Sequence, residues 1–307
     1  MDNIKQFIIS INKCENDDEV KKVVDTIADK LSSETKYNGE IIGLIGKGHA
    51  YNNGLYNFFI TPNIRIKFDS LFSSTYHIYD RDYLYDFAKM IKKQNIDENT
   101  NPMNLSIYVG RFLEQYFKRT TDPMDYRGAL LDSYSEKYAE KFYQERNIPI
   151  HNDLTAEEQM SLRGDFPITV FKGNGYAKCT EWSVLAQNLL KLVGYESACL
   201  GGEVMYNGNI EGHAYNIIRL EKDKNFLVDY SLGAPRYQNG KCIGIEPYYA
   251  ILNDKEYESF IHGEKTISKE DVYYENDKRI VDHNSMRYYS VNKSIELDKQ
   301  DDKGPQK

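Results

Sequence analysis

The chain has 307 residues, enough for one large domain or two modest ones with a substantial core. A formal net charge of -8, with no basic stripe, argues against nucleic acid or another polyanion as partner, because phosphate contacts need clustered Lys and Arg. Four scattered cysteines (Cys14, Cys179, Cys199 and Cys242) are too sparse for a disulfide framework, and no apolar run has the length of a signal core or a membrane span. The expectation is a soluble, cytoplasmic protein in a reducing compartment, with no membrane partner.

In chain order, Asp17 to Leu31 carries Val20, Val23, Val24, Ile27 and Leu31 at helical spacing behind an acidic first turn. Short strands are expected at Ile41–Ile45, Tyr56–Ile60 and Ile64–Ile66, then a helix from Asp80 to Ile91. The polar run Lys92 to Pro102 is the best linker, so the expected division is an N-terminal α+β region over 1–100 and a second domain over 101–292. Helices are expected at Leu105–Phe117 and Tyr126–Arg146, with a capping box opening a short helix at Thr155. Pro167 to Phe171 reads as extended. Residues 293–307, charged and nearly free of apolar side chains, are expected to be disordered.

The stretch Gly173-Asn174-Gly175-Tyr176-Ala177-Lys178-Cys179-Thr180-Glu181-Trp182-Ser183 reads as a glycine-loosened loop delivering a cysteine to a helix start. Trp182, Ala186, Leu189 and Val193 follow at helical spacing, and Gly194 stands where a helix stop belongs. Free N–H groups and the helix dipole at such a position favour thiolate over thiol. Alone, Cys179 is better read as a small buried hydrophobe, as most free cysteines are. Downstream the texture changes to strands, Glu196–Met205, His213–Leu220 and Phe226–Tyr230, with hairpin turns at Asn207-Gly208 and Asn239-Gly240. His213 opens one strand and Asp229 closes the next, so a hairpin about Glu221 sets them roughly opposite. A thiol, an imidazole to take its proton and a carboxylate to orient the imidazole form a nucleophilic system. Singly, His213 is an ordinary strand histidine and Asp229 the start of a turn into Ser231-Leu232-Gly233. Their joint occurrence with Cys179 is what points to chemistry. Cys199 and Cys242 read as core residues, and His49 as an inert turn histidine. The histidines lack metal-ligand spacing, so neither metal nor cofactor is expected.

These blocks resemble the transglutaminase-like superfamily of papain-type cysteine enzymes. Its members carry a Cys-x-Glu/Asp-aromatic-Ser/Ala helix start, a His-Ala-aromatic strand and an apolar strand ending in Asp. Here the matches are Cys179-Thr180-Glu181-Trp182-Ser183, Gly212-His213-Ala214-Tyr215 and Leu227-Val228-Asp229, over roughly 172–233. The resemblance implies an α+β fold with a nucleophile helix packed on an antiparallel sheet. It implies Cys179 as nucleophile, His213 as general base and acid, and Asp229 as orienter. The oxyanion would be held by the Cys179 N–H and a second donor, for which Asn174 and Tyr176 are candidates. The implied activity is amide-bond cleavage or transfer on a peptide or protein through a thioester, without a cofactor, peptidase chemistry first. Peptide N-glycanases share Cys-x-Glu-Trp, but their paired Cys-x-x-Cys zinc sites are missing. Arylamine N-acetyltransferases share the region after the acid, but their Arg-Gly-Gly run is replaced by Lys172-Gly173-Asn174-Gly175. A binding module that keeps the fold without the chemistry is the alternative of another class.

Overall fold

The computed structural model describes residues 6–33, 55–56, 63–68, 72–77, 81–119, 140–141, 144, 153, 165–173, 175–195, 197–206, 209–221, 224–262, 264–268, 273–274, 278–279 and 287–290. The expected strand at Ile41–Ile45, His49, the capping box at Thr155, Asn174 and the tail 293–307 lie outside these residues, as does most of the expected helix at 126–146.

The protein is α+β. Helices α1 (Gln6–Lys13), α2 (Asp17–Ser33), α3 (Arg81–Lys93) and α4 (Pro102–Leu113) lead to a fifth, α5 (Cys179–Leu192), after a set of short strands. Those strands are β1 (Leu55–Tyr56), β2 (Asn63–Phe68), β3 (Phe72–His77), β4 (Phe117–Arg119), β5 (Asp165–Pro167) and β6 (Gly175–Ala177). A long antiparallel meander follows: β7 (Ser197–Tyr206), β8 (Asn209–Glu221), β9 (Lys224–Gln238) and β10 (Lys241–Leu252). Helix α6 (Asp254–Ile261) comes next, and short strands β11 (Ile267–Ser268), β12 (Tyr273–Tyr274), β13 (Lys278–Arg279) and β14 (Arg287–Ser290) extend the sheet.

Local chemistry accounts for these boundaries. Asn101 caps α4 by accepting from the Met103 N–H, and Pro102, which has no N–H to leave unpaired, takes the first helical position. This starts the helix three residues before the expected Leu105. Gly194, at φ 91°, ends α5 as its position predicts. Strands β7 and β8 pair out to Tyr206–Asn209, and β9 turns into β10 at Asn239-Gly240, where φ values of 51° and 76° give the twist that two-residue turns prefer.

Three expectations are corrected. Ile168–Phe171 forms a single 3-10 turn rather than extended chain. Cys242 is exposed near the β9–β10 hairpin tip, because that hairpin projects past the core. Strand β9 does not stop at Tyr230 but continues to Gln238 through an irregularity described below.

The central sheet is buried on both faces with strict alternation. Ala214, Ile218, Phe226, Val228, Tyr230 and Tyr249 face one core, and Tyr215, Ile217, Leu227, Tyr248, Ala250 and Leu252 face another, which α6 closes with Phe260. The first core contains α5 through Trp182, Leu185, Ala186, Leu189 and Leu190. It runs without a break into Phe112, Phe87, Tyr83 and Ile8 of α4, α3 and α1. The expected division near residue 100 falls in the turn between α3 and α4, and the apolar cluster crosses it. Among the described residues no helix is long and apolar enough to cross a membrane.

Candidate active site

The loop that precedes Cys179 is stapled to the helices before it enters α5. Gly173 and Gly175 donate backbone hydrogen bonds to Gln115 and Tyr116 carbonyls at 2.7 and 3.0 Å, and β6 then runs parallel to β4. A Cβ on Gly175 would overlap the Tyr116 carbonyl and the Phe171 and Phe117 side chains, so only glycine permits this approach. Asp86 of α3 accepts from the Tyr116 hydroxyl at 2.6 Å and from Lys172 Nζ at 2.5 Å. The N-terminal helices therefore buttress the loop that presents Cys179.

Cys179 is the first residue of α5, so its N–H is not consumed by the helix. The ladder between β8 and β9 runs up to Asn216–Val228 and goes no further toward His213. Extended, that register would set Tyr215 opposite Asp229, so His213 and Asp229 are offset by two residues where they were expected roughly opposite, within a register step or so. A bulge follows Asp229 on the other side of β9. Pairing of β9 with β10 shifts between Gly233–Pro247 and Asp229–Tyr248, so Tyr230, Ser231 and Leu232 have no partner on β10. A Cβ on Gly233 would overlap the Glu246 backbone where the ladder resumes.

Asp229 organises this bulge and binds the histidine at once. Its Oδ1 accepts from the backbone N–H groups of Ser231 (2.9 Å) and Leu232 (3.0 Å) and from Ser231 Oγ (2.8 Å). Its Oδ2 lies 2.7 Å from His213 Nε2, and Ser231 Oγ also approaches that nitrogen at 3.3 Å. The carboxylate is fully buried and the His213 side chain is 8% exposed. The two sequence explanations for Asp229, turn start and histidine partner, thus hold together in one carboxylate.

With Nε2 engaged by Asp229, Nδ1 is the nitrogen left for Cys179. Cys179 is hydrogen-bonded to the His213 side chain and to the Ala214 backbone. Burial pushes the thiol up, but the His213 charge, its hydrogen bond and the Ala214 N–H together bring it below its ordinary value, against a smaller opposing effect of Asp229. For His213, burial disfavours the charged ring, yet Asp229 and Cys179 overcome this and raise it to about 10. Both shifts run toward a thiolate–imidazolium pair backed by a carboxylate.

The structure thus brings Cys179, His213 and Asp229 together. Trp182 anchors the helix start by donating from Nε1 to the Ala177 carbonyl at 3.2 Å. Tyr176 is half-buried beside Lys118, whose ammonium lies 5.7 Å from its ring centroid. The Glu181 side chain lies outside what is described. Sequence reasoning missed Ser231 and Arg119. Ser231 was signalled, since Asp-x-Ser is a common self-capping turn. Arg119 was not: it stands on a three-residue strand, far upstream of its partners.

The chain matches no family model, and no curated protein or solved structure is found similar to it.

Proposed function

We propose that the protein is a cofactor-independent cysteine enzyme with a papain-like, transglutaminase-type core, acting on amide bonds of a peptide or protein. The observation that carries this reading is the buried relay in which His213 is held by Asp229 on one side and meets Cys179 on the other. In the reaction, the Cys179 thiolate attacks the amide carbon while the oxyanion forms beside the free N–H at the helix start. His213 gives its proton to the departing nitrogen as the C–N bond breaks, leaving a thioester and a neutral imidazole. His213 then takes a proton from water or from an amine, whose oxygen or nitrogen attacks the thioester. The thiolate leaves and the imidazolium is restored.

Amide substrates offered with and without a primary amine, followed by intact-mass measurement, test this reading. Backbone cleavage, glutamine deamidation, amine incorporation and glycan release each change mass differently. Wild type is expected to give product in the peptide or protein channels, and Cys179→Ala none. Absence of any Cys179-dependent product would leave the binding-module alternative.

A further inference from the structure

We propose that Arg119 is a positioning residue for this site: it fastens the nucleophile helix to the β9 bulge that carries Asp229, and so fixes how Cys179 meets His213. This rests on the reading of Cys179 as an activated nucleophile.

Three contacts of one guanidinium support it. Its central carbon lies over the Trp182 ring of α5, 4.5 Å from the ring centroid. Its Nε and Nη2 both donate to the Tyr230 carbonyl, at 3.1 and 2.6 Å, directly after Asp229 and inside the bulge. Its Nη1 pairs with Glu114 of α4 at 3.0 Å. Glu114 is itself held by Arg236 of β9 and accepts from the Ile245 N–H of β10 at 2.8 Å. The backbone of Arg119 is in register with Ala177, whose carbonyl receives the Trp182 indole N–H.

Cys179 and Asp229 reach the site on separate elements, so their spacing depends on what joins α5 to the bulge. The bulge cannot use β10 for this, because its Tyr230 carbonyl has left the ladder. The Tyr230 hydroxyl meets Ser106 Oγ at 2.6 Å, which holds the ring but leaves the carbonyl to Arg119. A lysine would keep the positive charge while losing both the paired donors and the planar group over the ring. Small misplacements of a reacting pair cost large factors in rate.

The test is the pH profile of Cys179 alkylation by iodoacetamide, resolved by peptide mass spectrometry with exposed Cys242 as internal reference. The variants are Arg119→Lys, Arg119→Met and Arg111→Met. Arg111 belongs to the same charge cluster through Glu246 but touches neither Trp182 nor Tyr230. The midpoint for Cys179 is expected to rise by about one pH unit or more in Arg119→Met, less in Arg119→Lys, and not at all in Arg111→Met. Because Arg119→Lys retains the charge, a shift there reports geometry. A wild-type midpoint in Arg119→Lys overturns the proposal even if Arg119→Met fails to fold, and a shift in Arg111→Met as large as that in Arg119→Met does so too. If instead the wild-type protein shows a Cys179 midpoint like that of Cys242, unmoved in His213→Ala, the nucleophile reading itself fails.

Discussion

In His213→Ala, Cys179 is expected to need a pH near or above 8.5, the ordinary thiol value, to reach half-maximal alkylation. The substitution removes the charge and the side-chain hydrogen bond that bring the thiol down, and leaves burial and the Asp229 carboxylate, which push it up, against the Ala214 N–H alone. A free thiol at pH 6.5 is about 1% ionised, so at that pH the alkylation rate should fall relative to wild type, by up to about 100-fold. The sign follows from which groups remain: every large stabiliser of the thiolate except one backbone donor belongs to His213. Alkylation with an unchanged profile would mean that Cys179 ionises independently of the ring.

On the proposed function, Asp229→Asn is expected to abolish most turnover while sparing the fold. The amide oxygen can still accept from Ser231 and Leu232, so the bulge survives. The amide nitrogen then replaces Oδ2 at His213 Nε2 and must donate to it. That forces the ring proton onto Nδ1, the nitrogen that has to receive the proton of Cys179 or of the incoming water. A wrong tautomer of this kind lowers kcat by about 10^4-fold in enzymes built on the same relay. Asp229→Ala makes the contrast: it leaves buried N–H groups without an acceptor and should lower unfolding stability by about 2–5 kcal/mol, visible in denaturant melts. Asn retaining activity within tenfold of wild type would remove Asp229 from the relay.

The legible parts of the fold were those written in local chemistry. Gly194 and the apolar spacing after Trp182 marked α5, and the two Asn-Gly loops fixed the hairpins. The polar turn at Glu221 identified β8 and β9 as a strand pair. Asn253 with Glu256 three residues on is a readable capping box, present in the structure and passed over in the sequence. What was not legible is long-range or irregular. The Ser231-Leu232-Gly233-Ala234-Pro235 stretch reads as a strand end, because glycine and proline normally interrupt ladders, whereas here a bulge absorbs the break and pairing resumes. For the site, Cys179, His213 and Asp229 were legible as a set that the structure brings together, but not the two-residue offset between β8 and β9. The pairing of β4 with β6 is set by packing among Phe117, Phe171 and Trp182, not by any signal near Arg119.

The Cys179–His213 pair also alters the proton inventory of folding. On folding, the ring is raised to about 10 and the thiol is lowered from its ordinary value. The His213 contribution to stability is fully present below about pH 6.5, the ordinary histidine value, and is lost as the pH rises to about 10. The Cys179 contribution is fully present above about pH 8.5, the ordinary thiol value, and is lost as the pH falls through the lowered folded value. Where the two windows overlap the slopes oppose each other, so folding exchanges fewer protons with the solvent than either group would alone. Folding moves proton affinity from the thiol to the ring.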